Sequence, residues 1–308
     1  MDLPKKVVGR IITVPLTPTQ LLTLPRSQVQ GRISDAVDLA RDLGASVVGL
    51  GALTAPASVG GKAFAKRTDV GVTNGNAFTA AMTMQAIETL TGSLGRDPLI
   101  AIVGATGSVG SCLTRLYARK HPGRLMLVAR NEQRLLKLAA DVRRDGVEAT
   151  VSTDMLDVAK ADLVVLLTSS PDALLRSEHL KRGAIVLDDT VPRNTDEGLL
   201  TERPDVLVVD GGLVEIPGFE LRGSIALAPK LAYACLAETM LLALAGHKGH
   251  FCMGDAQVDQ AEHILRLADE YRHLGFHLAP FRSFGKLIKD APAHAPVSAI
   301  QEAVTCAA

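Results

Sequence analysis

The chain has 308 residues, and its 33 lysines and arginines balance 33 aspartates and glutamates, which gives a formal net charge of +0. Hydrophobic residues make up 47% of the chain and aromatic residues only 3%. This composition excludes a disordered chain, and balanced charge with few aromatics argues against nucleic acid as a partner. The length is sufficient for two domains with their own cores.

The sequence predicts a cytoplasmic protein without a transmembrane segment. Residues 1–20 lack the apolar stretch of a signal peptide. The longest apolar run, residues 231–246, is short for a membrane span and contains Glu238. The four cysteines show no paired spacing and should remain thiols in that compartment; they are Cys112, Cys235, Cys252 and Cys306.

Residues 1–94 are predicted to form a smaller α/β substrate domain. Short strands are expected at 6–14 and 46–50, with an amphipathic helix between them that ends at Gly44. The segment 60–79 is rich in Gly, Asn and Thr and predicts an exposed loop before a helix at about 78–92. Contacts to substrate or nicotinamide are one interpretation of three polar residues in this segment, and a turn with a capped helix is the other; they are Asn74, Asn76 and Thr79.

Residues 95–228 have the pattern of a doubly wound Rossmann domain. Apolar runs at 99–103 and 124–130 alternate with helical segments, and three more runs follow at 162–170, 183–190 and 205–212. These runs lack the polar alternation of half-exposed strands, as expected for a parallel sheet that is covered on both faces. The fold class is therefore α/β, with C-terminal helices after the sheet.

A glycine turn between the first strand and the next helix predicts a dinucleotide site. In this motif the first glycine permits a tight turn, the second lets backbone approach a pyrophosphate, and the third lets helix and strand pack closely. The pyrophosphate would lie at the positive end of the helix. The residues of the predicted site are Gly104, Thr106, Gly107, Ser108, Val109 and Gly110.

The end of the second strand favours NADPH over NADH. An acidic residue at this place would bind the ribose 2′-hydroxyl of NAD. The chain has Arg130 there, with Arg134 one turn later. Two guanidinium groups suit a 2′-phosphate, because they form charge-assisted hydrogen bonds with it.

Residues 229–308 are predicted to be a C-terminal helical segment. Its first helix is expected to begin at Pro229, which places Cys235 in the second turn, and a further helix is expected at about 256–274. By spacing alone a lone cysteine in an apolar helix is typical of a core residue. Glu238 shares a helical face with Cys235 and is either a general acid or a structural partner of backbone groups.

The spacing of the His and Cys residues at 247–255 fits no zinc pattern, so no metal is predicted.

Several motifs resemble the cyanobacterial-type long-chain acyl-[acyl carrier protein] reductases, which make fatty aldehydes. The similarity extends from about Val8 to Ala279, and the similar segments are residues 43–64, 72–80, 208–215, 233–242 and 250–255. The chain departs from the pattern where Phe78 replaces a histidine and where residues 189–193 replace a Gly-Gly-Tyr-Pro-Lys segment. It therefore resembles a divergent, N-terminally short member of that family.

The resemblance implies that Cys235 is a catalytic nucleophile in an NADPH-dependent reduction of an acyl thioester to an aldehyde. This role requires a partly ionised thiol, for which Lys230 and His247 are candidate activating groups. The substrate would be carried by acyl carrier protein or coenzyme A, and a homo-oligomer is compatible with this interpretation.

Two alternatives stay open. One is an NADP-dependent alcohol dehydrogenase of shikimate-dehydrogenase-like layout, for which Lys62, Lys66 and Asp69 are candidates for a Lys–Asp pair. In that case Cys235 would be only a core residue. The other alternative is a non-catalytic NADP-binding module.

Overall fold

The computed structural model of the protein describes residues 9–95, 97–170 and 173–289. None of the helices in these ranges is both long and apolar enough to cross a membrane. Cys306 and most of the weakly patterned tail lie outside the described residues.

The N-terminal part is built around two short parallel strands. Its elements are α1 (Pro18–Thr23), α2 (Arg26–Asp42), β1 (Val47–Gly49), α3 (Thr54–Ala57), β2 (Gly71–Thr73) and α4 (Asn76–Thr91). β1 pairs with β2 in register, with Val47 opposite Gly71. One face of α2 packs into a small core, because its buried residues recur at three- or four-residue spacing; they are Val29, Ile33, Val37 and Ala40. Gly44, at φ +85°, ends the helix as predicted.

Two expectations for this part are wrong. Residues 9–14 of the expected strand 6–14 form no strand, and residues 6–8 lie outside the described part. A strand needs a partner for its backbone groups, and β1 takes β2 as its partner instead. The expected loop at 60–79 is largely not exposed: it contains β2 and the first turn of α4, and it buries Phe78 completely.

The central part is a six-stranded, all-parallel sheet, which confirms the predicted Rossmann fold. The strand order is β5-β4-β3-β6-β7-β8, the arrangement of doubly wound dinucleotide domains. The strands are β3 (Leu99–Val103), β4 (Arg124–Val128), β5 (Glu148–Ser152), β6 (Leu163–Leu166), β7 (Ile185–Asp188) and β8 (Leu207–Asp210). The helices are α5 (Ser108–Lys120), α6 (Glu132–Arg143) and α7 (Leu199–Glu202).

The edge strand β5 is not among the strands that the sequence predicts. It has one buried residue, Ala149, between the exposed Glu148 and Thr150. An edge strand covered on one side lacks the continuous apolar run that marks the five other strands. Composition alone therefore does not distinguish it from a loop.

After the Rossmann sheet the chain forms a three-stranded antiparallel sheet, a two-stranded antiparallel sheet and two helices. The elements are β9 (Leu213–Glu215), β10 (Leu231–Tyr233), α8 (Ala234–Leu244), α9 (Val258–Glu270), β11 (His277–Leu278), β12 (Arg282–Ser283) and β13 (Lys286–Leu287). β9 lies between β10 and β11. α8 begins at Ala234 and not at Pro229, because residues 231–233 pair with β9 instead of joining the helix.

α4 connects all three parts of the chain. It packs against α5 of the Rossmann domain and against α8 and α9. Ten of its residues are buried, so the helix is apolar on nearly all sides. Its N-terminus and that of α8 are thereby brought to the carboxyl edge of the Rossmann sheet, where ligands of doubly wound folds bind.

Candidate active site

The glycine loop has the backbone geometry that its sequence predicts. Gly104 follows β3 at φ +88°, and a Cβ there would lie 2.7 Å from the Leu167 carbonyl oxygen. A Cβ at Gly110 would lie 2.4 Å from the Gly104 carbonyl oxygen. A side chain at Gly104 would push the loop away from Leu167, and a side chain at Gly110 would push the helix away from the loop. Both glycines are therefore needed for close packing.

The N-terminus of α5 provides free backbone donors for an anion. Its N-cap is Gly107 in an extended conformation, and no side chain caps the helix. The first N–H groups of the helix therefore face the cleft, and the helix dipole adds positive potential. This uncapped end and the glycine cradle fit the pyrophosphate of a dinucleotide, which Val109 and the backbone of Ser108 would contact.

The Ser108 hydroxyl is occupied by protein contacts. It donates to the Gly254 carbonyl oxygen at 3.1 Å and accepts from Asn76 Nδ2 and the Ala256 N–H, each at 2.9 Å. One donor and two acceptor positions are then filled. Ser108 thus links the glycine loop to α4 and to the segment before α9, and only its backbone remains for a phosphate.

The two arginines lie beside the loop in different environments. Arg130 is exposed and is the second residue after the end of β4. Arg134, in the first turn of α6, donates from Nη2 to the Thr106 carbonyl oxygen at 2.8 Å. This bond fixes Arg134 next to the glycine loop, whereas within the described part of the chain Arg130 has no such hydrogen bond.

Cys235 is the second residue of α8 and lies in the same cleft as the glycine loop. Its place in the first turn corrects the expected second turn, so the helix dipole does act on it. The side chain is half-buried. Burial, followed by the negative charges of Glu238 and Asp189, raises the pKa of the thiol to about 11, although the Leu236 and Ala52 N–H groups oppose this.

The resting group is therefore a thiol and not the partly ionised species that the resemblance implies. The candidate activating group His247 is engaged elsewhere. Its Nε2 lies 3.3 Å from the His250 carbonyl oxygen, and its ring packs on Phe251. A nucleophilic role for Cys235 would therefore require a base that removes its proton.

Glu238 holds the start of α4. It is fully buried, and its two oxygens accept hydrogen bonds from the Thr73 hydroxyl and from the Phe78 N–H at 2.8 Å. Burial raises its pKa to about 7 against these hydrogen bonds. Since Phe78 is the third residue of α4, the carboxyl caps that helix from α8. Of the two interpretations of Glu238, these contacts agree with that of a structural partner of backbone groups.

The three polar residues near the start of α4 differ in what they contact. Asn74 is buried, and its Nδ2 donates to the carbonyl oxygens of Gly60 and Gly254 at 3.0 and 2.9 Å. Asn76 contacts Ser108, as described above. The Thr79 hydroxyl donates back to the Gly75 carbonyl oxygen at 3.0 Å. All three line the cleft, but their side chains are already hydrogen-bonded within the protein.

Asp189 is a cleft residue that the sequence analysis did not identify. It directly follows β7, and the Thr83 hydroxyl lies in hydrogen-bond contact with its Oδ2. Burial raises its pKa to about 7, with a smaller contribution from Asp188. An acid directly after a buried parallel strand lies at the ligand-binding edge of the sheet. The apolar run that ends at Asp188 is the sequence feature that could have identified Asp189.

The cleft as a whole is large, and the part that the N-terminal elements line is mainly apolar. Its volume is about 2320 Å³, and it runs from the glycine loop past Cys235 to α2 and β1. Apolar side chains line the part beyond Cys235, among them Val47, Leu50, Leu53, Leu236, Met240 and Leu244.

The Lys–Asp pair of the dehydrogenase alternative is not formed. Asp69 pairs with Arg67 at 2.6 Å and with Arg41 at 3.0 Å. Lys62 lies instead on the cleft wall, with its Cε over Gly254. Asp69 is therefore part of a surface ion-pair cluster within the N-terminal part.

Comparison with known proteins places the Rossmann domain among nicotinamide-dependent enzymes. The family model "Shikimate / quinate 5-dehydrogenase" matches residues 89–210. The chain is 31% identical over 197 residues to "Long-chain acyl-[acyl-carrier-protein] reductase" of Synechococcus elongatus, covering 60% of this chain and 56% of the relative. It is 31% identical over 229 residues to "Glutamyl-tRNA reductase 2" of Nocardioides sp., covering 70% and 48%.

A third relative matches more of the chain. The chain is 28% identical over 290 residues to "Aminotransferase PigE" of Serratia sp., covering 91% of this chain and 33% of the relative. The chain thus spans about a third to just over half the length of these curated relatives. Among solved structures, the nucleotide-binding domain of glutamyl-tRNA reductase from Thermoplasma volcanium is similar with a TM-score of 0.32 and 18% identity, covering 42% of this chain and 84% of that one.

These matches agree with the expected resemblance at the level of distant relationship. The central domain is a nucleotide-binding domain of the type found in NAD(P)-dependent oxidoreductases, and the chain is related to acyl-[acyl carrier protein] reductase and glutamyl-tRNA reductase.

Proposed function

We propose that the protein is an NADPH-dependent oxidoreductase that reduces an acyl thioester to an aldehyde through a thioacyl intermediate on Cys235. The observation that carries this proposal is the position of Cys235: a half-buried thiol in the first turn of α8, in the same cleft as the uncapped end of α5. The distant relationship to a protein named as an acyl-[acyl carrier protein] reductase supports the choice of substrate class.

Cys235 performs the first half of the reaction. Its sulfur attacks the thioester carbonyl carbon, the donor's thiol leaves, and the acyl group becomes attached to Sγ. A nicotinamide dinucleotide, when bound at the glycine loop, would supply a hydride to the acyl carbon. The protein's tasks are then to hold the acyl group near the end of α5 and to release the aldehyde, after which the Cys235 thiolate takes up a proton from solvent.

The apolar part of the cleft is suited to the acyl chain. Leu236 and Met240, on α8 beside Cys235, line it together with Val47 and Leu50 of the N-terminal part. Such a lining excludes water from the thioacyl group and so protects it from hydrolysis. Acyl carrier protein or coenzyme A would remain outside this part of the cleft, and we place the reaction in the cytoplasm.

An intact-mass measurement tests the proposal directly. Purified protein is incubated with hexanoyl-coenzyme A without any nicotinamide cofactor. We expect one hexanoyl adduct, which peptide mapping places on Cys235. Cys252→Ser, which removes a buried thiol, is the matched control and should still form the adduct. Absence of an adduct would contradict the proposal and favour the alcohol dehydrogenase or the non-catalytic binding module.

The preference for NADPH is tested at Arg130. Replacing it by glutamate removes a charge-assisted contact with the 2′-phosphate and adds repulsion. We expect NADPH binding to weaken by about 2 kcal/mol, roughly thirtyfold, with little change for NADH. Calorimetric titration of both cofactors measures this, and Arg144→Glu, just beyond the other end of α6, is the control. Equal affinity for NADPH and NADH in the unmutated protein would refute the preference.

A further inference from the structure

Attack by Cys235 requires a group that accepts its proton, and Asp189 lies where such a group is needed. Its Oδ1 is 2.1 Å from the position that a Cβ on Gly212 would occupy, so the carboxyl rests on this glycine. The Gly212 carbonyl oxygen in turn accepts from the Ala234 N–H at 2.8 Å. Through Gly212, Asp189 is two contacts from Ala234, the residue before Cys235. Asp189 and Cys235 both line the cleft, and the negative charge of Asp189 acts on the Cys235 thiol.

The partner of Asp189 can serve both of its protonation states. The Thr83 hydroxyl contacts Asp189 Oδ2, and it also lies 2.8 Å from the Thr79 carbonyl oxygen. A hydroxyl has one proton and two lone pairs. It donates to Asp189 when that group is a carboxylate, and it donates to Thr79 while accepting from Asp189 when that group is protonated. Neither state leaves the Thr83 hydroxyl unpaired.

Glu238, the other buried carboxyl near Cys235, lacks this property. One oxygen accepts from the backbone N–H of Phe78. The other accepts from the Thr73 hydroxyl, which itself accepts from the Cys252 N–H at 3.2 Å and so directs its proton to Glu238. Both oxygens face donors, so protonation of Glu238 would break a hydrogen bond.

We propose that Asp189 is the acid–base group of this site and exchanges a proton with Cys235. The assignment rests on the proposed function. The Asp189 carboxylate accepts the thiol proton as the Cys235 sulfur–carbon bond forms. When the bond between the carbonyl carbon and the donor's sulfur breaks, the Asp189 carboxyl delivers the same proton to the departing thiolate. No electron is gained or lost in this step, and Asp189 ends as it began.

Few other charged groups face Asp189 from the elements around it in the described part of the chain. Asp188 is its chain neighbour, but its carboxylate faces the segment 190–195 and accepts from Thr190, Asn194 and Thr195. Cys235 faces it from α8, and the contacts from α4 and from Gly212 are uncharged. Glu238 also has a pKa of about 7, but its ionisation raises the pKa of the Cys235 thiol and would slow acylation. A rise of the acylation rate with pH near neutrality would thus report on Asp189.

The test measures acylation without cofactor, as release of coenzyme A from hexanoyl-coenzyme A in buffers on both sides of neutrality. In the unmutated protein the rate should rise with pH through the pKa of Asp189, about 7, because the carboxylate is the active form. Asp189→Asn keeps the shape of the protonated carboxyl. It should slow acylation about a hundredfold and replace the midpoint near pH 7 by a rise that continues toward the pKa of the Cys235 thiol, about 11.

Two further measurements separate a chemical from a structural role. Thr83→Val removes a hydrogen bond that favours the carboxylate, so the midpoint should move to higher pH. Asp189→Asn removes a charge that raises the pKa of Cys235, so iodoacetamide should alkylate that thiol faster while acylation is slower. Acylation of Asp189→Asn at the unmutated rate and pH dependence would overturn this assignment alone. Absence of any adduct in the unmutated protein would overturn the proposed function as well.

Discussion

Cys235→Ser is expected to lose acyl-adduct and aldehyde formation by about a thousandfold or more, because a hydroxyl holds its proton much more tightly than a thiol and is a far weaker nucleophile beside the same base. The fold and cofactor binding should be unchanged. Serine fits the space of a half-buried cysteine in the first turn of α8, and the glycine loop takes its shape from other contacts. Circular dichroism and an NADPH titration measure the retained properties, and mass spectrometry and aldehyde detection measure the lost ones.

If Cys235 were only a core residue, the serine variant would lose some stability and keep its activity. Alkylation distinguishes the two cases independently. Cys112 is almost fully buried, and burial raises its pKa to about 12. Cys235 is more exposed and its pKa is lower, so iodoacetamide should label it first and bound acyl thioester should protect it. Labelling of Cys235 only after unfolding, with turnover by the serine variant, would show that the thiol is core.

The Rossmann domain could be predicted because its signals are local. Five of its six strands are continuous apolar runs, and the glycines at 104, 107 and 110 have a spacing that one strand–turn–helix unit requires. The start of α8 could not be placed in the same way. Residues 231–233 and 234–244 form one apolar run, and only pairing with β9 makes the first three a strand.

The chemistry of the carboxyl groups depends on contacts that are distant in the chain. Thr83 is 106 residues from Asp189, and Phe78 is 160 residues from Glu238. The sequence shows that Glu238 shares a helical face with Cys235, but not that its oxygens cap α4. For Asp189 it shows an acid at a strand end. It does not show the burial that raises the pKa of Asp189 or the Thr83 hydrogen bond that lowers it, which together give a pKa of about 7. Local pattern predicts where a ligand would bind, and long-range packing sets the environment of each acid, from which we infer a proton-exchanging role.

Gly75 is expected to be the residue whose replacement by alanine disturbs the site most through packing. It lies at φ +76°, just before α4, and a Cβ there would lie 2.2 Å from the Cys235 Cβ and 2.4 Å from its Cα. Neither atom can move without moving the first turn of α8. The lack of a side chain at Gly75 therefore lets the two helix N-termini lie against each other. The position of Cys235 thus depends partly on a glycine 160 positions earlier in the chain.

Gly75→Ala should cost about 3 kcal/mol or more of unfolding free energy, from the left-handed backbone and the steric clash together. Gly146→Ala is the matched control: Gly146 has φ +89°, but nothing lies within 4 Å of the position that an alanine methyl would take, so only the backbone cost of about 1–2 kcal/mol applies. Urea unfolding measures both variants. Acylation per folded molecule should fall in Gly75→Ala and stay unchanged in Gly146→Ala, because only the first displaces the Cys235 sulfur. Equal stability losses with normal acylation in both would mean that α8 can shift freely, and that Gly75 does not position the nucleophile.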